Sequence, residues 1–218
     1  MFNNDNSKTN GEYAFFMHIK NNIDVIFDVG CRTDTDYLFF QGEVHYFDPI
    51  NDFLEQLKIK QNSNRVSYFN NFGLGKDNNQ FYYYPKYQSF YDRVNSCRIS
   101  DDANKVLLTV KKGHDYVVEN NIKRIDFLKI DTEGYELNVL QGFEDALEMV
   151  NIIQFEYGGT FLDNKIKLID VIDYLKQKGF HKFAYLTHSG VAPITDFTDH
   201  YQYCNIVCIN KNSDYVPF

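Results

Sequence analysis

Short apolar runs alternate along this chain with segments of helical period, which is the arrangement of βαβ units around a mainly parallel sheet. Residues 51–60 and 164–179 repeat apolar positions at helical spacing, as amphipathic helices that cover a sheet do. Strands are predicted over seven runs, at residues 24–29, 43–47, 65–69, 125–130, 151–155, 181–186 and 203–209. The pattern predicts an α/β fold with a seven-stranded, mainly parallel sheet and helices on both faces.

The size and composition of the chain suit one large folded domain. Its 218 residues are 44% hydrophobic and 17% aromatic, which is enough for a sizeable core. We expect a polar N-terminal segment with a short helix over residues 1–22, a main domain over 23–211 and a C-terminal tail over 212–218. Neither a linker nor an internal repeat divides the main domain.

Charge and hydropathy argue against two classes of partner. A net charge of −8 without a Lys/Arg cluster argues against binding nucleic acid by neutralising phosphates. The N-terminus shows no secretory signal pattern, and no apolar stretch reaches the roughly 18 residues of a membrane span. The four cysteines show no metal-ligand spacing, so no metal site is predicted. We expect a cytoplasmic protein that binds neither nucleic acid nor membrane, and the sequence leaves its oligomeric state open.

The stretch "VIFDVGCRTDTDY" reads as a buried strand, a turn with Asp28 and Gly30, and the start of a short helix. In doubly wound sheets, ligands bind beyond the carboxyl ends of the strands. A glycine at that turn lets a cofactor approach the backbone closely. Asp28 and Gly30 are therefore candidate cofactor-binding residues.

The next two predicted strands also end in polar residues. Asp48 closes "HYFDP" 18 positions after Gly30, where a carboxylate can accept both hydroxyls of a ribose. The alternative is a helix-capping or turn acid before Pro49. Asn70 and Asn71 follow the third strand and are candidates for the adenine end of a cofactor, with a turn role as the alternative.

The residues after Gly30 bear on which nucleoside cofactor fits. Asp34 and Asp36 would repel a pyrophosphate, whereas S-adenosylmethionine has no phosphate and carries a cationic sulfonium and ammonium. The acids therefore favour S-adenosylmethionine over NAD. Arg32 could pair with the carboxylate of the methionyl group; a solvated loop arginine is the alternative.

The stretch "IDFLKIDTEGYEL" runs from an apolar strand directly into Asp131, Glu133 and Gly134. At the end of the fourth strand, either acid could act as a base or orient an acceptor, and Glu156 ends the next strand at the same edge. Capping of the following helix by Asp131 or Thr132 is the alternative explanation. Asp131 is also a candidate for contact with the cofactor.

Three further residues are candidates for the acceptor side of the site. His188 follows the sixth strand and could act as a base, although a lone histidine is commonly a surface residue. Ser89 and Arg93 could hold hydroxyl groups of an acceptor, or be solvated loop residues. Lys129 lies within the fourth strand near Asp126, so a structural role is expected for it.

Several segments together resemble one known family. "IDFLKIDTEGYELNVLQGFE" is similar to that family's most distinctive stretch, a strand followed by Lys-Ile-Asp-x-Glu-Gly-x-Glu and a helix. "VIFDVG" resembles its first strand and turn, "VHYFDP" its Phe-Glu-Pro, and "SFYDR" its Ser-Leu-Tyr-x-Arg loop. "IIQFEY" and "YQYCNIVCIN" are similar to its next and closing strands. Over residues 23–211 the chain thus resembles the FkbM family of S-adenosylmethionine-dependent methyltransferases.

The resemblance implies a Rossmann-like class I methyltransferase fold with seven strands, the last antiparallel. It also implies methyl transfer to a hydroxyl of a sugar, polyketide or other small metabolite. Where the family reads Asp-Val-Gly-Ala-Asn-x-Gly, this chain has Cys31, Arg32, Thr33 and Asp34 after Gly30, so both the Asn and the later Gly are absent. The methionyl end of the pocket is therefore expected to be remodelled.

Three hypotheses follow for the function. The leading one is an O-methyltransferase that uses S-adenosylmethionine and acts on a small-molecule or glycan acceptor. The second keeps the fold as a binding or assembly module that has lost the cofactor at the altered 31–34 turn. The third, an NAD-dependent oxidoreductase, requires a pyrophosphate beside Asp34.

Overall fold

The structure is a computed structural model, which describes residues 4–61, 66–84 and 105–218. Its strands are β1 Val25–Val29, β2 Glu43–Phe47, β3 Ser67–Asn70, β4 Gly73–Gly75, β5 Asn79–Tyr83, β6 Val106–Lys112, β7 Ile125–Ile130, β8 Val150–Tyr157, β9 Phe180–Thr187, β10 Gly190–Pro193 and β11 Cys204–Asn210. Its helices are α1 Ser7–Asn10, α2 Glu12–Ile19, α3 Asn51–Lys60, α4 Gly113–Glu119, α5 Glu136–Gly142, α6 Gly159–Asp163 and α7 Leu168–Gln177, with a 3-10 helix at Glu144–Met149.

The central sheet has the strand order β3-β2-β1-β7-β8-β11-β9-β10. Strands β3, β2, β1, β7 and β8 pair in parallel, and β11 lies antiparallel between β8 and β9. All seven predicted strands are present in the predicted directions, so the predicted fold is confirmed. The predicted count was one short, because the chain turns back after β9 and adds β10 antiparallel at the edge.

A second, three-stranded sheet with the order β4-β6-β5 lies beside the first. None of these three strands is among the seven that the sequence predicted. Strand β5 pairs antiparallel with β6 over five residue pairs, from Asn79 with Val110 to Tyr83 with Val106. The two strands are far apart in sequence, so the pairing could not be read from local pattern.

The core lies on both faces of the central sheet. Successive residues of a strand point to opposite faces, so Phe127 and Leu128 of β7 enter different clusters. Leu128 packs with α4, α5 and α7, whereas Phe127 packs with α2 and α3. Helices therefore cover both faces, as predicted.

The prediction of a short helix after Gly30 is wrong. Residues 31–42 form turns, and α2 from the N-terminal segment covers that face of the sheet instead. Twelve residues are close to the minimum for a parallel crossover, which leaves little length for a helix. The rings of Phe16 and Tyr37 meet edge to face at 4.9 Å, and Phe40 lies 6.0 Å from Phe16. Among the described residues, no helix is both long and apolar enough to cross a bilayer.

Candidate active site

The carboxyl ends of β1, β2 and β7 surround one cleft, which we call the inner cleft. Its lining is Val29, Gly30, Arg32, Phe47, Asp48, Pro49, Ile50, Phe53, Gly73, Leu74, Phe81, Tyr83, Val110, Asp131, Thr132, Glu133 and Tyr135. The structure thus brings together the turn at Gly30, the acid at Asp48 and the acids Asp131 and Glu133. The cleft volume is ≈ 90 Å³.

A second cavity of ≈ 840 Å³, which we call the outer cavity, lies between α1–α2 and residues 34–41. Its lining also includes Lys129 and Asp131. Asp131 is the one described residue in both linings. The two spaces therefore meet at the end of β7.

Gly30 sets the close approach of the turns that follow β1 and β7. Its φ of 79° lies in the left-handed region, and a Cβ there would overlap the carbonyl oxygen of Asp131. The Gly30 N–H donates to the carbonyl of Phe47 at 2.9 Å, and the Asp131 N–H donates to that of Val29 at 2.9 Å. A glycine at this position is therefore required by the fold itself.

Asp48 fixes the turns that follow β1 and β2. One carboxylate oxygen accepts the Arg32 N–H at 3.0 Å and the other accepts the Ile50 N–H at 2.9 Å. Burial raises its pKa to about 6, against the lowering effect of those N–H groups. The turn role considered from the sequence is thus present, in a side chain that also lines the inner cleft. Binding of a ribose by Asp48 stays a prediction.

The two asparagines after β3 bond to the backbone nearby. The Asn70 side chain donates to the Tyr46 carbonyl at 3.0 Å, and that of Asn71 donates to the Pro49 carbonyl at 3.0 Å. Neither is among the residues that line the two spaces. The structure therefore favours the turn role for both.

Lys129 faces the site and lies beside Asp131 and Asp28. The prediction that Asp126 is its neighbour is therefore wrong. The Lys129 Nζ lies 3.0 Å from Asp131 Oδ2 and 3.9 Å from Asp28 Oδ1. Burial alone would lower the pKa of Lys129, but the two carboxylates raise it well above its usual value. Asp126 instead accepts bonds from Arg124 and from the Val25 N–H. The ammonium of Lys129 is thus a fixed positive charge between Asp28 and Asp131.

Asp28 lies at the opposite side of this ammonium and is fully buried. Desolvation raises its pKa to about 6, opposed by Lys129 and by the hydroxyl of Thr35, which donates to Oδ2 at 2.7 Å. Its Oδ1 has no hydrogen-bond partner. Asp28 is absent from the linings of both spaces, so it acts on the site through Lys129.

Glu156, at the end of β8, has a carboxyl oxygen within 4.8 Å of one of Asp131. Burial and then the charges of Asp131 and Glu133 raise the pKa of Glu156 to about 10. Burial also acts to raise the pKa of Asp131, but Lys129 and the bond from Glu156 bring it below its usual value. At neutral pH Glu156 is therefore the protonated partner and Asp131 the carboxylate.

Oxygen atoms of Asp131, Glu133 and Glu156 also lie within 4.8 Å of one another. Hard oxygen ligands of this kind suit Mg²⁺. A metal ion at this position would have to displace the proton that the Glu156 carboxyl holds at neutral pH. The predicted absence of a metal site stays a prediction.

The sequence reasoning missed the part played by Glu136. It is fully buried, and its Oε1 accepts the N–H groups of Thr132 at 2.9 Å and Gly134 at 3.1 Å. This bond pattern stabilises a turn in which Glu133 and Gly134 have φ values of 56° and 98°. Burial raises the pKa of Glu136 to about 7. The predicted capping of α5 by Asp131 or Thr132 is wrong, since its N-cap is Tyr135.

The structure describes only one of the three candidates for the acceptor side. His188 is exposed in the turn between β9 and β10 and is absent from the two linings. Ser89 and Arg93 fall outside the described residues. Glu12 of α2, which the sequence did not indicate, lines the outer cavity and accepts a bond from Gln154 of β8 at 2.8 Å.

Comparison with known structures identifies the architecture. The chain is similar to a Streptococcus mutans protein assigned as a methyltransferase and solved in complex with SAH, with a TM-score of 0.53, 10% identity, and coverage of 92% of this chain and 97% of that one. It is similar to an rRNA methylase from Streptococcus thermophilus (TM-score 0.51, 10% identity, 90% and 94% coverage). It is also similar to the N-methyltransferase NodS from Bradyrhizobium japonicum WM9 (TM-score 0.50, 7% identity, 94% and 98% coverage). At these identities the likeness establishes the fold.

No curated protein matches the chain in sequence. The methyltransferase FkbM domain, in contrast, matches residues 28–182. This range runs from Asp28 through the acids at 131 and 133 to β9, and it agrees with the predicted cofactor, S-adenosylmethionine. The chain belongs to the FkbM methyltransferase family.

Proposed function

We propose that this protein transfers a methyl group from S-adenosylmethionine to a hydroxyl of a small molecule or sugar unit. The observation that carries the proposal is the meeting of Gly30, Asp48, Asp131 and Glu133 in one cleft at the carboxyl ends of three neighbouring strands. Ligands of doubly wound sheets bind at such an edge. The SAH bound by the Streptococcus mutans protein of the same fold supports the choice of cofactor.

The charged groups of the inner cleft suit a sulfonium nucleoside. Asp48, Asp131 and Glu133 line it together with one cation, Arg32, whose guanidinium lies 4.0 Å from Glu133. An excess of carboxylates attracts a sulfonium and an ammonium and repels a pyrophosphate. Apolar residues such as Ile50, Leu74 and Val110 complete the lining, as an adenine ring requires.

The acids at the end of β7 can supply the base. Bound S-adenosylmethionine would supply a methyl group on a cationic sulfur. As an acceptor oxygen bonds the methyl carbon, the sulfur would leave with the electron pair of the bond that breaks. Asp131 stays ionised because the ammonium of Lys129 lies beside it, whereas burial and the charge of Asp131 raise the pKa of Glu156. Asp131 is thus ready to accept the hydroxyl proton of the acceptor. General-base help of this kind is worth roughly 10²–10⁴ in rate.

Calorimetric titration with S-adenosylhomocysteine tests the proposal. We expect saturable binding that weakens in Asp48→Asn, since that change removes a charge at the cleft. Glu55→Gln on the exposed face of α3 is the matched control and should bind as the unchanged protein does. Complete lack of binding by the unchanged protein would remove the cofactor and the reaction together.

One observation favours a second candidate, a binding or assembly module without cofactor. Both carboxylate oxygens of Asp48 are engaged by backbone N–H groups, and the inner cleft holds only ≈ 90 Å³. This candidate predicts a stable fold with no affinity for S-adenosylhomocysteine. The same titration therefore separates the two.

A further inference from the structure

The outer cavity is large enough for a ligand and meets the inner cleft at Asp131. Its ≈ 840 Å³ falls within the range of about 300–1,000 Å³ found for small-molecule sites. An acceptor in the outer cavity would therefore meet, beside Asp131, a methyl group carried by a cofactor in the inner cleft. The acceptor site inferred here rests on the proposed function.

Two segments that contact each other form the walls of this cavity. One wall is α2, and the other is the set of turns that replaces a crossover helix between β1 and β2. Edge-to-face contact of Phe16 with Tyr37 joins the walls at one end. Lys8 Nζ of α1, which precedes α2, binds Asp36 Oδ1 in the same turns at 2.6 Å. The cavity is thus built by the fold rather than left between loose segments.

A row of polar side chains on the sheet runs beneath the cavity, and Lys129 of this row lines it. Asp28, Lys129 and Gln154 occupy matched positions on β1, β7 and β8, so they lie side by side on the face that α2 covers. Gln154 donates to Glu12 Oε2 at 2.8 Å, and Asn10 donates to Glu12 Oε1 at 2.6 Å. Both of these partners are neutral amides. The carboxylate of Glu12 therefore brings negative charge to the cavity beside Lys129.

The lining as a whole selects against anions. Five carboxylates and three lysines line the cavity, so negative charge is in excess. Lys129 is held by Asp131, and Lys8 by Asp36, which leaves little positive charge for an anionic ligand. Phe39 is 70% exposed and adds an apolar surface at the rim. Carboxylates beside an exposed aromatic ring suit a compound with hydroxyl groups on a carbon ring.

We propose that the outer cavity is the acceptor site, and that it takes a sugar-sized hydroxylated acceptor without negative charge, held by Glu12. A phosphorylated or carboxylated sugar would face the acidic lining and be excluded. Glu12 contacts the acceptor in this arrangement, and Asp131, which lines both spaces, lies beside the acceptor oxygen and leaves it free to meet the methyl carbon.

Ligand-observed saturation-transfer NMR with glucosamine and glucose 6-phosphate tests this proposal. We expect transfer to glucosamine and none to glucose 6-phosphate. Glu12→Gln should weaken glucosamine binding about tenfold, the worth of one charge-assisted bond. Phe39→Ala should also weaken it, and the exposed Ile59→Ala on α3 is the matched control. Failure of both sugars to bind, or stronger binding of the phosphorylated one, would overturn the proposal.

The titration with S-adenosylhomocysteine, repeated on Glu12→Gln, separates this proposal from the proposed function. Unchanged affinity for S-adenosylhomocysteine together with weaker glucosamine binding supports an acceptor site. Loss of S-adenosylhomocysteine affinity in Glu12→Gln would assign the cavity to the methionyl end of the cofactor and overturn the proposal. The sugar experiment needs no cofactor, so it stands even where the unchanged protein fails to bind S-adenosylhomocysteine.

Discussion

Replacing Asp28 by asparagine should stabilise the protein at alkaline pH. Asp28 is fully buried beside Lys129, and burial raises its pKa from 3.8 to about 6. Asparagine has the shape of the protonated acid and can still accept the hydroxyl of Thr35 at 2.7 Å. The substitution therefore removes the cost of the buried negative charge and keeps the packing.

The size of the effect follows from the shift in pKa. The folded protein holds the proton of Asp28 up to about pH 6, whereas the unfolded chain loses it near pH 4. As pH rises between these values, the unfolded state binds fewer protons and the stability of the folded state falls. A shift of about two pKa units corresponds to about 3 kcal/mol, fully present above pH 6. Below pH 4 the contribution vanishes, so Asp28→Asn should then match the unchanged protein.

Urea unfolding at pH 5 and at pH 8 measures this difference. We expect Asp28→Asn to gain more at pH 8 than at pH 5, by about 1.5 kcal/mol, because about half of the full cost is already present at pH 5. Asp173→Asn, on the exposed side of α7, is the control and should show no such gain. Equal destabilisation of Asp28→Asn at both values of pH would refute the reasoning, because it would mean that Lys129 keeps Asp28 ionised and stabilising.

Three further changes have defined outcomes. Gly30→Ala should lower the free energy of unfolding in urea by at least about 2 kcal/mol, because its Cβ would overlap the Asp131 carbonyl at a positive φ. Gly159→Ala is the control and should lower it little, since there is open space around that position. Equal losses of stability would contradict the overlap. Glu136→Ala should cost about 2–3 kcal/mol by the same measurement, because two buried N–H groups lose their acceptor, and a loss near zero would mean that the turn is stabilised elsewhere. Glu156→Gln should leave the unfolding free energy within about 0.5 kcal/mol at neutral pH, since Glu156 is already protonated there; thermal protection by Mg²⁺ that the glutamine abolishes would show a metal instead of the proton.

The strand ends could be read from the sequence because each depends on local pattern. Apolar runs that stop at Gly30, Asp48 and Asp131 mark where strands end, and parallel strands of one sheet end at the same edge. The cleft that gathers Gly30, Asp48, Asp131 and Glu133 confirms that these places lie together. Their roles in binding and catalysis stay predictions.

What the sequence did not show depends on the pairing of distant residues. Lys129 was placed near Asp126, three positions away in the sequence, but these two side chains point to opposite faces of β7. The register that sets Lys129 beside Asp28 joins strands about 100 residues apart. Glu12 meets Gln154 across 142 positions, through a helix that precedes the whole sheet. Helix α2 covers the face of the sheet where a helix after Gly30 was predicted. The hydrophobic pattern of a strand does not show which helix packs against it.

The position of α2 has a consequence for how such an enzyme can diversify. A crossover helix is tied to the strands before and after it, so altering its length or tilt shifts both strands. Helix α2 is tied to the sheet from one side only, by Glu12 and by apolar rings that meet Phe127 and Tyr37. If the outer cavity is the acceptor site, as proposed, residues of α2 that line it, such as Tyr13 and Met17, can be exchanged to suit another substrate without moving the ends of the parallel strands.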